Sequence, residues 1–214
     1  MNILKLTGNM VYKNLLLRFL TSIFFILIYL IILSINFNYV FYLVLIIYII
    51  VYFELIFYFN KYKIIPLLYI SFSLLFFLLI DFSDKIHLSF NLFIIIIILF
   101  DTFSYIIGKF IGKNKFIKIS PNKTVEGLLG GAICTFCGSL LIIHLVDSNI
   151  TLKIVIFVLM MITTAFLGDL FESFFKRKNN LKNSSELIPG HGGVFDRFDS
   201  FLFSIIFYSI TLNF

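Results

Sequence analysis

The sequence predicts an all-α integral membrane protein with about seven transmembrane helices, and three observations carry this prediction. Of the 214 residues, 61% are hydrophobic and only 13% are charged, whereas soluble domains carry about 25% charged residues. The mean hydropathy is +1.08. The apolar residues fall into long runs, each close to the roughly 20 residues that one helical crossing needs.

The apolar runs follow one another along the chain and predict a single polytopic membrane domain over 1–214. The predicted helices cover 19–35, 38–59, 64–80, 88–108, 125–146, 151–168 and 198–213. No small-residue cleavage site follows the first run, so we expect a retained helix and not a removed signal peptide. The stretches 109–124 and 169–197 are predicted to be the two long polar loops.

The positive charges predict the orientation in the membrane. If the N-terminus is cytoplasmic, fifteen of the 17 Lys and Arg residues fall on the cytoplasmic side and only Lys85 and Lys153 fall on the other, as the positive-inside rule expects. Both long polar loops then face the cytosol, and the C-terminus lies outside. The net charge of +6 follows from this topology and from attraction to membrane lipids, so nucleic acid is not an expected partner.

Two acids and two cysteines lie within the apolar runs. An ionised carboxylate at the centre of a membrane helix costs roughly 2.5–3.5 kcal/mol, so Asp101 in the fourth run needs either a function or a structural ion pair. For Glu54, near the end of the second run, we favour a structural role. Cys134 and Cys137 form a C-x-x-C inside an apolar run with no second pair of ligands nearby, which indicates packing residues.

The segment 120–131, SPNKTVEGLLGG, reads as a polar turn that opens onto the fifth helix. Pro121 suits the turn, Thr124 is a candidate N-cap, and Glu126 then lies in the first helical turn. Lys123 is close to the helix N-terminus, where backbone N–H groups and an ammonium can bind phosphate. A lysine before a membrane helix also serves as an interfacial anchor, and both interpretations stay open.

The richest polar segment is 168–200. If the sixth helix continues beyond the membrane surface, Asp169, Glu172 or Ser173, and Lys176 recur on one helical face. The glycine-rich stretch 189–193, PGHGG, is too poor in helix formers to be anything but a tight turn.

This turn leads into the last helix, where Asp196 and Asp199 stand one turn apart with Arg197 between them. Acids on two helix ends among basic residues suit phosphoryl or nucleotidyl transfer, because carboxylates hold Mg²⁺ and cations offset the charge of the phosphates. A solvated charge cluster that binds anionic lipid is the simpler alternative, but it would not require the glycine turn.

These residues resemble the phosphatidate cytidylyltransferase family, also called CDP-diglyceride synthases. The likeness covers roughly 100–200, and more weakly the entry into the first helix from Arg18 to Thr21. The segments that carry it are Asp101-Thr102-x-x-Tyr105, Ser120-Pro121-Asn122-Lys123-Thr124-x-Glu126-Gly127, Gly168-Asp169, Ser173-x-x-Lys176-Arg177, Lys182 and Pro189-Gly190-His191-Gly192-Gly193-x-x-Asp196-Arg197-x-Asp199.

The resemblance implies transfer of CMP from CTP to phosphatidic acid, which gives CDP-diacylglycerol and pyrophosphate. It implies a requirement for Mg²⁺, with room for a second cation, an active site toward the cytosol in a bacterial inner membrane, and compatibility with a homodimer. The implied metal ligands are Asp169 and Asp196, supported by Asp199 and Glu126. The implied catalytic set is Asp169, Asp196, Asp199, Lys176 and Arg177, and the implied substrate-binding set is Lys123, Ser173, Lys182, His191, Gly192, Gly193 and Arg197.

The sequence departs from the family at one motif position, since Asn183 follows Lys182 where the family usually has an aspartate. The chain is also short for the family, with helices that we expect to be missing from its N-terminal half. Rival functions are a CTP-dependent enzyme for a polyprenol or an ether lipid, and, from other classes, a small transporter or a non-catalytic scaffold. A transporter would not need the glycine turn, and the chain lacks paired inverted halves.

Overall fold

The computed structural model describes residues 21, 23–117, 120–146, 150–188 and 192–212. Four motif positions named in the sequence analysis lie outside these residues: Arg18, Pro189, Gly190 and His191. The described residues form seven α-helices, which confirms the predicted helical fold class and the order of the helices. These are α1 (Ile23–Ile35), α2 (Tyr39–Tyr58), α3 (Ile64–Leu78), α4 (His87–Phe110), α5 (Val125–Val146), α6 (Leu152–Lys178) and α7 (Phe195–Thr211).

Four of these helices, α2, α4, α5 and α6, are long and apolar enough to cross a membrane, while α1 and α3 are shorter apolar helices. Large apolar side chains remain exposed on the outer surfaces of the spanning helices, among them Ile46, Phe53, Leu141 and Ile156. Such a surface suits contact with lipid, where an apolar side chain costs nothing to expose. The chain is a multi-pass membrane protein, and the count of seven crossings stays a prediction.

Helix α6 runs to Lys178, past the predicted end at 168. The first part of the polar stretch 169–197 is therefore helical and not a loop. Hydropathy marked only the apolar part of this helix, but its polar end still has an apolar side. Phe175 is buried there, with its ring 5.7 Å from that of Tyr69.

A small β-hairpin lies between α4 and α5, in the stretch predicted to be a polar loop. It pairs β1 (Lys115–Ile117) with β2 (Ser120–Thr124) antiparallel, with Lys115 opposite Thr124. The strands are too short to give an alternating pattern that hydropathy could detect. The predicted cap is confirmed: the Gly127 N–H donates to Thr124 Oγ1 at 3.1 Å, and Glu126 lies in the first turn of α5.

Small residues bring α4 and α5 close together. A Cβ added to Gly127 would lie 2.8 Å from the Ser104 carbonyl oxygen and 2.9 Å from Gly108 Cα, so the two backbones touch there. Such contacts are typical of membrane helices, whose association depends on close packing. They seat the start of α5, which follows Lys123 and Thr124 in the chain, against the C-terminal part of α4.

Helix α7 is enclosed by the other helices. It packs against α3, α4 and α6, and Tyr208 stacks on Phe93 with ring centroids 4.7 Å apart. Ser200 and Ser204 are buried in this helix. Because protein and not lipid surrounds α7, it tolerates polar residues that a lipid-facing helix would exclude.

Candidate active site

The polar end of α6 places Asp169, Glu172 and Lys176 on one face of the helix, as their spacing in the sequence predicts. Lys176 forms an ion pair with Glu172 four residues earlier, with Nζ and Oε1 2.7 Å apart. The same ammonium donates to Asp196 Oδ1 on α7 at 2.8 Å. Lys176 therefore joins α6 to the start of α7, between two carboxylates.

One glycine sets the distance between α6 and α7 beside these acids. A Cβ on Gly168 would lie 2.6 Å from the Asp199 carbonyl oxygen and 2.8 Å from Phe203 Cβ. This contact brings Asp169, the next residue on α6, alongside Asp199. Carboxylate oxygens of Asp169, Glu172 and Asp199 all lie within 4.8 Å of one another.

Three carboxylates at this spacing repel one another strongly where water is partly excluded. Protein cations offset part of that charge: Lys123 forms an ion pair with Asp169, and Lys176 does so with Glu172. Asp199 is buried and accepts a hydrogen bond from the adjacent Ser200 N–H at 2.9 Å. Oxygen ligands at this spacing are what a divalent cation such as Mg²⁺ binds, so the residues present fit a metal ion.

The acids open onto a cavity of about 620 Å³. Helices α4, α5, α6 and α7 and the hairpin all contribute to its wall. Its polar lining includes Asp101, Lys109, Ser120, Lys123, Thr124, Asp169, Asp196, Arg197 and Asp199, and its apolar lining includes Phe100, Leu128 and Phe166. The cavity is large enough for a nucleotide-sized ligand, and it joins charged and apolar walls in one space.

Asp196 is held in place by a set of donors. Besides the Lys176 ammonium, its carboxylate accepts from the backbone N–H groups of Ser184 and Gly193, each at 3.0 Å to Oδ2. Burial raises the pKa of Asp196, but the charge and hydrogen bond of Lys176 and the hydrogen bond from the Gly193 N–H act against it, and the pKa is lowered to about 2. The group is thus an anion at neutral pH.

The glycine turn before α7 is closed by two backbone hydrogen bonds between Ile188 and Gly192, at 2.8 and 3.1 Å. Gly192 has a φ of 90°, which L side chains rarely adopt. Asn183 lies against this glycine, since a Cβ on Gly192 would be 3.3 Å from Asn183 Cβ. The turn therefore packs against the segment after α6, which comprises residues 179–188, and both lie beside Asp196.

A family model described as "Cytidylyltransferase family" matches residues 60–214. This match covers more than half of the chain and includes every residue of the cavity wall. The chain belongs to the cytidylyltransferase family.

Curated members of this family are similar to more than half of the chain. The chain is 41% identical over 132 residues to a phosphatidate cytidylyltransferase of Staphylococcus haemolyticus, covering 61% of this chain and 50% of that protein. It is 44% identical over 120 residues to the phosphatidate cytidylyltransferase of Staphylococcus saprophyticus, covering 55% of this chain and 46% of that protein. The chain thus spans about half the length of the curated relatives it matches.

The structure brings together five of the residues that the sequence nominated as site residues. These are Lys123, Asp169, Asp196, Arg197 and Asp199, which all line the cavity. Asp101 joins them: it lines the cavity and accepts a hydrogen bond from Ser200 Oγ at 3.2 Å. Of the two roles left open for Asp101, its position favours a part in the site.

Other nominated residues lie outside the cavity lining. The carboxylate of Glu126 binds the connection between α4 and β1, where it accepts from the N–H of Lys113 at 3.1 Å and from the Asn114 side chain at 2.8 Å. Arg177 is exposed, and its Nη1 donates to the Leu181 carbonyl at 3.1 Å.

The remaining nominated residues surround the site. Ser173 is buried on α6, Lys182 is exposed, and Gly192 and Gly193 are buried in the turn. His191 lies outside the described residues. None of these four described positions lines the cavity.

Sequence reasoning placed Glu172 on the right face of α6 but did not name it as a candidate metal ligand. Glu172 forms the acid cluster only because α7 brings Asp199 close to α6. Gly168 sets the distance between these two helices, and the spacing of residues along α6 does not reveal it. The presence of a small residue immediately before Asp169 was the available signal.

Proposed function

We propose that this chain transfers CMP from CTP to phosphatidic acid, giving CDP-diacylglycerol and pyrophosphate. The observation that carries the proposal is the cavity itself, where carboxylates, Lys123 and Arg197 face an apolar wall within a membrane helix bundle. A CTP triphosphate needs cations and metal-binding acids. A lipid phosphate needs those same charges next to an apolar surface for its acyl chains.

In the proposed reaction a phosphate oxygen of phosphatidic acid attacks the α-phosphorus of CTP. The bond from that phosphorus to the bridging oxygen breaks, and pyrophosphate leaves with the bonding electrons. The attacking phosphate is already an anion, so no strong base is required. The protein must instead hold two anionic substrates together, and Lys123 and Arg197 are the proposed phosphate contacts in the cavity.

The proposed ligands of Mg²⁺ are Asp169 and Asp196, with Asp199 in support, since all three line the cavity. When bound, Mg²⁺ would offset the negative charge of the substrate phosphates and of the leaving pyrophosphate. Glu172 forms an acid cluster with Asp169 and Asp199, and its ion pair with Lys176 supports a role in holding these two acids in place. Lys176 contributes by joining Asp196 to α6, and Arg177 by stabilising the chain after α6.

We further propose that the cavity faces the cytosol from a bacterial inner membrane. Fifteen of the 17 Lys and Arg residues share one side under this orientation, and the similar proteins come from Staphylococcus. Cytosolic CTP would then reach the site directly.

The proposal is tested by incubating the purified protein with labelled CTP, Mg²⁺ and one of three lipid acceptors. These are phosphatidic acid, a polyprenyl phosphate and an unsaturated archaeal ether-lipid phosphate. We expect label in the extracted lipid with phosphatidic acid, at a rate at least about tenfold above the other two. Equal or preferred use of another acceptor would replace the proposed substrate, and no transfer to any acceptor would contradict the proposed activity.

A further inference from the structure

Glu54 is a buried acid on α2 that lies outside the cavity lining. It is 0% exposed and stands one turn before the end of the helix. A carboxylate inside a helix bundle is costly unless its oxygens are hydrogen-bonded. Both are: Ser184 Oγ donates to Oε1, and the Phe195 N–H donates to Oε2 at 2.9 Å.

The two donors belong to the segments that hold Asp196. The Ser184 N–H donates to Asp196 Oδ2 at 3.0 Å, and Phe195 directly precedes Asp196 in the chain. Gly193, whose N–H also donates to Asp196, packs so tightly against Glu54 that a Cβ there would overlap the carboxylate. Glu54 therefore contacts Ser184 and Gly193, whose N–H groups donate to Asp196, and Phe195, which precedes it.

We propose that Glu54 is a positioning residue, which fixes the segment after α6 and the start of α7 so that Asp196 faces the cavity. It acts from α2, a helix that contributes no residue to the cavity lining. Its role in catalysis rests on the proposed function, but its role in holding the segment does not.

If Glu54 only stabilised the folded protein, its replacement would change overall stability but would not act on Asp196 in particular. Replacing a buried acid by an apolar residue of similar size is often neutral or stabilising for a folded protein. Here it would leave the Ser184 hydroxyl and the Phe195 N–H without their acceptor, which costs order in that segment. The two roles are separated by measuring the segment and Asp196 as well as overall stability.

The first test compares Glu54→Met with Glu54→Gln. The amide oxygen of glutamine can accept from Phe195 while its NH₂ donates to Ser184 Oγ, because a hydroxyl can serve as donor or acceptor. We expect Glu54→Gln to keep kcat within about threefold of the parent. Glu54→Met should lower kcat at least about tenfold with little change in melting temperature.

The second test is a double-mutant cycle with Asp196→Asn. If Glu54 acts through Asp196, Glu54→Met should cost less than about twofold further in the Asp196→Asn background. An equal loss of kcat in both backgrounds would overturn the positioning role. Should Glu54→Met fail to fold, Ser184→Ala, which removes one of the two hydrogen bonds, takes its place in the cycle with the same expectations.

The third test does not depend on activity. Ser185 is 3% exposed, so Ser185→Cys in a chain with Cys134→Ala and Cys137→Ala provides a buried thiol in the same segment. We expect Glu54→Met to raise the labelling rate of this thiol at least about tenfold, by local opening, and Glu54→Gln to leave it unchanged. An unchanged rate in Glu54→Met would overturn the proposal, whereas a raised rate in a protein that makes no CDP-diacylglycerol would refute only the proposed function.

Discussion

At the scale of single residues, the charged groups of the cavity are each held by a specific partner. Asp169 on α6 pairs with Lys123 on β2 of the hairpin, and Asp196 accepts from Lys176 and from two backbone N–H groups. These contacts fix the acids before any substrate arrives. A site that must bring two anionic substrates together needs charges that are already fixed in position.

The first prediction concerns Asp169 and Asp196 as one metal-binding unit. Asp169→Asn and Asp196→Asn should each lower kcat by more than about a hundredfold, or about 2.7 kcal/mol of barrier. The double variant should be little worse, because residues that act together are not additive. Activity is measured across a Mg²⁺ titration, with folding checked by gel filtration in detergent.

Asp81→Asn is the matched control, since Asp81 is exposed in the connection between α3 and α4. It should leave turnover unchanged. If either site variant keeps near-normal turnover at low Mg²⁺, that acid is not a ligand, and Glu172 or Asp199 takes its place.

The second prediction concerns Asn183, the departure from the family motif. Asn183 packs beside Gly192, and the neighbouring Asp196 already has its hydrogen-bond donors. Asn183→Asp should therefore change kcat by no more than about fivefold. A gain of about a hundredfold in the lipid-labelling assay would mean that the missing acid is essential and that this chain is an impaired enzyme.

Most of the acids in the site could be predicted from residue types and local spacing. Asp169, Asp196 and Asp199 stand out because acids beside apolar helices are costly and rare. The inclusion of Glu172, the position of Asp101 and the contacts of Glu54 could not be predicted. They depend on packing between residues far apart in the chain, which no local pattern encodes.

At the scale of elements, the helices were predictable because each apolar run has the length of a membrane crossing. The run 125–146 coincides with α5. The hairpin was not predicted, and the continuation of α6 beyond residue 168 was only one of two possibilities for that stretch. A hydropathy pattern marks the residues that contact lipid, and both the end of α6 and the hairpin lie outside the apolar runs.

The third prediction tests the packing of α6 on α7. Gly168→Leu should separate the two helices, since even a Cβ meets the backbone of α7 within 2.6 Å. We expect loss of most CDP-diacylglycerol formation and destabilisation of about 1–3 kcal/mol from overpacking. Both are measured on the same detergent-solubilised sample, by activity and by thermal unfolding.

Gly138→Ala provides the control for this substitution. A Cβ at Gly138 has a nearest neighbour at 3.8 Å, Leu99 Cδ1, which is ordinary contact. This variant should keep parental activity and stability. Full activity in Gly168→Leu would show that the distance between α6 and α7 does not set the geometry of the acids.

At the scale of the whole molecule, the other helices of the bundle surround α7, and the bundle exposes large apolar side chains on its outer surface. The polar end of α6, the start of α7 and the hairpin meet around one cavity. We propose that the chain is one membrane domain with this cavity at its cytosolic face. A homodimer stays a prediction.

The fourth prediction concerns orientation. In a chain with Cys134→Ala and Cys137→Ala, a cysteine introduced by Lys115→Cys or Asn180→Cys should be protected from a membrane-impermeant thiol reagent in intact cells. Both positions are exposed in the structure, so they should react once the membrane is opened. Reaction at either position in intact cells would place the cavity on the outer side and remove access to cytosolic CTP.

The most direct test of the central claim is the position of the label in CTP. With CTP labelled at the α-phosphorus, the extracted lipid should become labelled in the presence of phosphatidic acid and Mg²⁺. With CTP labelled at the γ-phosphorus, all label should appear in pyrophosphate and none in lipid, and Asp169→Asn should abolish the α-label transfer. Lipid labelled from the γ-position, or no lipid labelled from the α-position by a folded protein, would contradict cytidylyl transfer at this site.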